Sequence, residues 1–111
     1  MLLCFVGDEP IGFLYGKIDR EGHRGSVRPG WGYVMEFYVQ PKYRRQGYGR
    51  KMYQHLESIF AGKGVTNIWL TADPVTGEPF WTAMGFFNSQ EKAAENGLYI
   101  FEKFGVQERK T

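Results

Sequence analysis

The sequence predicts an α/β (α+β) fold: a mixed, mostly antiparallel sheet with a central parallel strand pair and two helices. Three observations predict it. Two short apolar runs open the chain with a Gly7-Asp8 turn signal between them, the pattern of an antiparallel hairpin. Further on, a strand-like run, a helical period and a second strand-like run follow one another, and such a crossover joins parallel neighbours. The chain has 111 residues, enough for one domain with one small core.

The elements follow in order. Leu2 to Val6 is a short apolar run, and Pro10 to Ile18 alternates loosely through Ile11, Phe13 and Tyr15. The stretch from Asp19 to Gly32, rich in glycine and mixed charge, reads as a loop or a flexible hairpin tip. Tyr33 to Gln40 (YVMEFYVQ) is aromatic and β-branched, the strongest strand signal in the chain, and Pro41 ends it. From Tyr48 the period becomes helical, with Met52, Leu56, Ile59 and Phe60 on one side and Arg50, Lys51, Gln54 and Glu57 on the other. Gly62 and Gly64 stop that helix. Asn67 to Thr71 is a strand, Asp73-Pro74 a break, and Glu78 to Met84 a short helix that carries Pro79 in its first turn. A strand begins at Phe86, Ser89 to Gly97 reads as a polar turn, and Leu98 to Phe104 is the last strand, followed by a frayed charged tail.

Composition narrows the function. A net charge of +2 argues against bulk nucleic-acid binding, which needs a strongly basic domain. The single cysteine, Cys4, rules out an internal disulfide, fits a reducing compartment and reads as a buried structural thiol. No apolar stretch is long enough to span a bilayer, and the N-terminus lacks the flanks of a signal peptide, so a cytoplasmic protein with no membrane partner is expected. His23 and His55 have no metal-ligand spacing with another His, Cys or carboxylate, and no metal site is expected.

The chemistry concentrates in Lys42 to Lys51 (KYRRQGYGRK), where five of ten residues are basic and none is acidic. Gly47 and Gly49 permit a tight bend and a close approach to a ligand. The helix that starts here points unpaired N–H groups and its positive dipole end at whatever lies in that bend. Strand, proline, basic bend, glycines and helix start occur in the order a phosphate grip requires.

In this stretch the sequence resembles the GNAT superfamily of N-acetyltransferases. Their signature loop, Arg/Gln-x-x-Gly-x-Gly/Ala, is matched by Arg44-Arg45-Gln46-Gly47-Tyr48-Gly49, with Val39 and Pro41 at the family's preceding positions. Phe80-Trp81-Thr82-Ala83-Met84-Gly85-Phe86 fits the family's aromatic pair, helix end and Gly-Phe, and Pro10 to Gly16 resembles its second hairpin strand. The resemblance covers most of the chain. It implies an acyl-CoA N-acyltransferase-like fold with the parallel pair splayed apart, and acetyl-CoA (coenzyme A) as cofactor. The backbone of Gln46, Gly47, Tyr48, Gly49 and Arg50 would cradle the pyrophosphate. Arg44, Arg45 and Arg50 would add charge, Val39 would offer its backbone to the pantetheine arm, and Phe80 and Trp81 would close the site from the second helix.

The same resemblance marks two departures. Residues 1–111 read as a single domain that lacks the family's usual N-terminal strand and helices, a portion that helps form the acceptor pocket. Trp81 stands where the family often carries a tyrosine able to protonate the leaving thiolate, and an indole N–H is far too weak an acid for that. Tyr99 is the substitute that strand position suggests. Glu36, the one charge inside the best strand, has two open readings: a strand carboxylate facing solvent, or the catalytic group that orients or deprotonates an acceptor amine, for which burial would raise its basicity. Asp73 reads as a turn aspartate.

The expected function is transfer of an acetyl group from acetyl-CoA to a primary amine, small-molecule or peptide, by direct attack. The alternatives are a non-catalytic coenzyme A-binding module and a small nucleic-acid-binding domain. A homodimer is consistent with an unprotected sheet edge.

Overall fold

The computed structural model describes residues 1–22 and 27–106. His23 and the last five residues of the tail lie outside that range. The strands are β1 (Leu2–Val6), β2 (Glu9–Ile18), β3 (Gly32–Val39), β4 (Ile68–Thr71), β5 (Phe87–Lys92) and β6 (Tyr99–Lys103). They form one sheet in the order β1-β2-β3-β4-β6-β5. Among the described residues only β3 and β4 pair in parallel, across the crossover helix α1 (Tyr48–Gly62); a second helix, α2 (Gly77–Ala83), follows β4. The mixed, mostly antiparallel sheet with two helices is the predicted fold. No helix among the described residues is long and apolar enough to cross a membrane.

The seat of α1 is set by glycines. Met52, Leu56 and Phe60 are buried and recur one turn apart on the face toward the sheet. Beneath them lie Gly12 and Gly16 of β2 and Gly32 of β3. A Cβ on Gly12 would stand 2.5 Å from the Tyr38 carbonyl oxygen of the neighbouring strand and 3.2 Å from the Met52 Cε, one on Gly16 2.9 Å from Leu56 Cδ2, and one on Gly32 2.7 Å from the Phe60 ring. Each large helix residue therefore occupies the volume that a strand side chain would fill. The burial differs from the expected stripe at three positions, Tyr53, Glu57 and Ile59. Tyr53 is buried to 1% exposure while Ile59 is only half-buried. Glu57 turns inward to an ion pair with Lys103 Nζ at 3.1 Å, and the same ammonium donates to the Met84 carbonyl at 2.9 Å.

β3 changes phase partway along. Against β2, Tyr15 faces Glu36 but Gly16 faces Val34, so Met35 is an extra, unpaired residue, a β-bulge. Gly32 and Val34 are buried before it; Val39 is buried and Phe37 half-buried after it. The backbone switches too. Gly32 N–H donates toward β4, to the Asn67 carbonyl, whereas Gln40 N–H donates toward β2, to the Ile11 carbonyl. With the two-residue period of a strand, the N–H and C=O groups of Phe37 and Val39 then point away from β2.

The face opposite α1 has a smaller core of Trp69, Ala93 and Ile100, with Val27, Trp31 and Tyr33 against it. Tyr33 stacks on Trp69 with centroids 3.9 Å apart. The loop after β2 is tethered on both flanks: buried Asp19 accepts from Val27 and Arg28 N–H at 2.9 and 2.7 Å, and Arg28 pairs with Glu102 and Glu91. Two further expectations are corrected. Cys4 is half-buried, because β1 is an edge strand. The polar segment from Ser89 begins as strand, not turn: β5 is the other edge, its side chains are mostly exposed, and the register breaks between Asn88 and Lys92 where Gln90 has φ +68°.

Asp73 organises the start of α2. Its carboxylate accepts from the N–H groups of Val75, Thr76 and Gly77 at 3.0, 2.8 and 2.9 Å. Backbone donation, from Thr76 above all, holds the carboxyl below the ordinary carboxylate range.

Two stability measurements check this account. Gly32→Ala is expected to cost about 1–3 kcal/mol in urea unfolding, the usual penalty of overpacking. Adding Phe60→Leu should cost less in that background than in the wild type, because the two changes share one volume; strict additivity would refute the packing. Asp73→Ala is expected to cost about 1 kcal/mol near neutral pH, as for a lost helix-start acceptor. The Asp73 carboxyl is lowered in the folded state, so its contribution is complete above the unfolded value of about 3.9 and lost as pH falls through the lower folded value. The gap between wild type and variant should therefore close in acid.

Candidate functional site

A cleft opens where the parallel pair comes apart. β3 and β4 are in register only at Gly32–Ile68 and Tyr33–Trp69. Beyond those pairs the strands diverge, and a cavity of about 820 Å³ occupies the gap. Val34 to Val39 form one wall and Leu70 to Asp73 the other. The free edge of β3 in this wall is the one to which the bulge turns the N–H and C=O groups of Phe37 and Val39.

The floor is aromatic. Phe37 stacks on Phe80 at 4.9 Å, and Trp81 meets Phe37, Tyr53 and Phe86 edge-on at 5.2, 5.4 and 5.4 Å. Trp81 is 5% exposed, so its indole is core and cleft floor together. The Tyr53 hydroxyl lies behind this cluster, outside the cleft, and burial pushes it well above an ordinary phenol. Tyr99 does not line the cleft either; among the lining residues Tyr38 carries the phenol.

The mouth is basic and rich in free donors. Arg44, Arg45 and Arg50 line it, with Gly47 and Gly49 between them. Arg45 and Gly47 both have positive φ, +62° and +90°, and together they turn the chain from the short 3-10 segment Pro41–Tyr43 into α1. Gly47 is the helix N-cap, without a side-chain cap and with no acid in the first turn. The first backbone bond of the helix runs from Lys51 N–H to the Gly47 carbonyl at 3.1 Å, which leaves the N–H groups of Tyr48, Gly49 and Arg50 ahead of the ladder. Gly49 is needed for space: a Cβ there would stand 2.8 Å from Phe37 Cζ. The bend is anchored to the β1–β2 hairpin, where Tyr43 donates to Glu9 at 2.9 Å and Gln40 donates to the Pro10 carbonyl at 2.9 Å.

Of the residues singled out from the sequence, Glu36, Val39, Arg44, Arg45, Gly47, Gly49, Arg50, Phe80 and Trp81 converge on this cleft. The side chains of Gln46 and Tyr48 do not: Gln46 donates to the Lys42 carbonyl at 2.8 Å, and Tyr48 packs edge-on against Tyr43. Arg44 donates through Nε to the Val39 carbonyl at 2.7 Å. Glu36 is exposed and makes no ion pair among the described residues, so the burial expected of a general base is absent. His55 is exposed on α1, away from the cleft. Sequence reasoning missed Ala72, Thr76, Gly77, Pro79, Ala83 and Met84, which complete the wall and floor. These are small or apolar residues without a chemical signature, and the one usable signal was the break at Asp73-Pro74.

Known proteins share this fold. The fold matches PaiA N-acetyltransferase from Thermoplasma acidophilum, solved in complex with coenzyme A, with TM-score 0.70 and 18% identity over 90% of the chain. The chain spans only 57% of that protein's length. An acetyltransferase from Bacillus cereus matches with TM-score 0.72 and 18% identity, over 93% of this chain and 70% of its own. The ribosomal-protein-S18-alanine N-acetyltransferase from Escherichia coli matches with TM-score 0.66 and 17% identity, over 96% and 68%. A search of curated proteins gives no match. Residues 1–86 match the Acetyltransferase (GNAT) family across the hairpin, the splayed pair, the basic bend and both helices, and the chain belongs to that family.

Proposed function

We propose that the cleft binds acetyl-CoA and that the chain transfers its acetyl group to a primary amine, on a small molecule or a peptide. The observation that carries this reading is the short register of the parallel pair, which ends at Tyr33–Trp69 and leaves the basic, uncapped start of α1 at the mouth of the gap. The pyrophosphate would lie against the N–H groups of Tyr48, Gly49 and Arg50, with Gly47 giving it room and Arg45 and Arg50 supplying charge. The pantetheine arm would run along the free edge of β3 as an added strand, over Phe37 and Phe80. Residues 1–111 form one such unit in this reading.

In the reaction the neutral amine nitrogen attacks the thioester carbonyl carbon. The C–N bond forms, the C–S bond breaks, and the coenzyme leaves as its thiolate. A backbone N–H on the β3 edge, at Val39 or Phe37, would polarise the carbonyl oxygen. Glu36, on the cleft wall, would take the amine proton directly or through water, and positioning of the two reactants would supply most of the acceleration. Coenzyme A binding without catalysis is the second reading, favoured by the buried indole of Trp81 in place of a phenol. We further read the protein as cytoplasmic, with its one thiol reduced, and as able to pair with a second copy through the outer edge of β1.

Acetyl-CoA at a hundredfold excess over Kd is expected to raise the melting temperature on the order of 10 °C; no shift at millimolar ligand would sink the cofactor assignment. Gly47→Glu should abolish the shift by setting a carboxylate against the phosphates, whereas a retained shift would make the bend purely structural. Glu36→Gln should slow acetylation of an accepted amine at least tenfold while the thermal shift persists. Unchanged turnover would remove Glu36 from the mechanism, and transfer to no amine in a thiol-release screen would leave the binding module. A nucleic-acid complex, by contrast, would weaken steeply with added salt.

A further inference from the structure

The three arginines at the mouth are not equivalent. Arg45 and Arg50 make no hydrogen bond or ion pair among the described residues, so their guanidinium groups are available to a ligand. Arg44 is already engaged. Its Nε donates to the Val39 carbonyl at 2.7 Å, and its guanidinium carbon lies 5.6 Å from the centroid of Tyr38. Both partners belong to the last two residues of β3.

That contact falls on the edge where the chemistry would take place. After the bulge, the N–H and the C=O of Val39 both face away from β2, toward the gap left by β4. A bare carbonyl oxygen there would repel the thioester oxygen and, more strongly, the oxyanion that develops on it. Arg44 covers the carbonyl with a charged donor and leaves the Val39 N–H exposed. At Val39 the edge then presents its donor to the cleft without the neighbouring acceptor, and this last residue is held in one orientation by a side chain five positions along.

We propose that Arg44 is a positioning residue that masks the Val39 carbonyl and fixes the end of β3, not a ligand of the coenzyme's phosphates; this rests on the cleft being the coenzyme A site. Phosphate recognition then belongs to Arg45, Arg50 and the start of α1. The two roles separate because coenzyme A has a half that runs along β3 and a half that does not. Losing the mask should weaken the pantetheine half and spare the nucleotide half.

The test compares coenzyme A with adenosine 3′-phosphate 5′-diphosphate, which keeps the ribose phosphate and both phosphates of the pyrophosphate but no pantetheine, on the full chain by calorimetry. Arg44→Leu should weaken coenzyme A about tenfold, the scale of one charge-assisted hydrogen bond, and change the nucleotide less than twofold. Arg44→Gln, which keeps a neutral donor, should restore coenzyme A to within about threefold of wild type. Parallel losses for both ligands in both variants would make Arg44 a phosphate ligand and overturn the proposal, as would full coenzyme A affinity in Arg44→Leu. If Arg44→Leu does not fold, Arg44→Gln decides alone: unchanged affinity for the nucleotide diphosphate supports masking, and a tenfold loss refutes it. Failure of wild type to bind coenzyme A at millimolar concentration would instead refute the site assignment, and with it the proposal.

Discussion

The height of α1 above the sheet is the constraint on which the remaining structure depends. Three strand glycines remove the side chains that would otherwise hold a helix off, and Met52, Leu56 and Phe60 fill the vacated space. A fourth glycine works in the opposite sense: Gly49 lies on the helix and yields to Phe37 of the strand. The helix is thus lowered at every turn, including its first. That brings its unpaired N–H groups to the mouth of the gap between β3 and β4. Packing of this tightness tolerates little change in volume, so the placement of the exposed helix start is decided in the core.

A second consequence follows from the aromatic floor. Phe37, Phe80, Trp81, Tyr53 and Phe86 form one connected set of ring contacts that runs from β3 through α2 to α1. Lys103 reaches the same elements from behind, holding Glu57 of α1 and the carbonyl of Met84 just past α2. The short α2 is therefore fixed from two sides, although seven residues of helix would be marginal alone. Asp73 supplies the missing acceptor at its start. The wall of the cleft contributed by α2 is thus held by ring contacts, by the lysine bond to the Met84 carbonyl and by the Asp73 carboxylate together.

Much of this was legible in the residues. YVMEFYVQ followed by a helical period and then NIWLT allowed one topology, and the parallel pair is where that topology required it. The basic bend was legible for a different reason: arginines, glycines and a helix start in sequence put positive charge and unpaired N–H groups in one place, and they do meet at the mouth of the cleft. What could not be read was anything that depends on third-dimension contacts. Tyr53 replaced Ile59 in the core because its face is covered by α2 as well as by the sheet, which a single-helix pattern cannot register. β5 was hidden because an edge strand with solvent on most of its side chains has no alternation to show. Glu36 and Arg44 carried chemical signals whose meaning turned on exposure and on one hydrogen bond.

Met35 lines the cleft wall, yet its place in the count matters in its own right. Its side chain is 41% exposed, and its backbone is the surplus residue of the bulge. Many side chains would serve at this position, yet the chain cannot lose it. Removal would restore regular pairing with β2, rotate Phe37 and Val39 out of the core, and turn the donors of the cleft edge toward a strand that already has partners. Length is therefore held more tightly than identity at this position, and variation among homologous chains should appear here as substitution rather than as a gap.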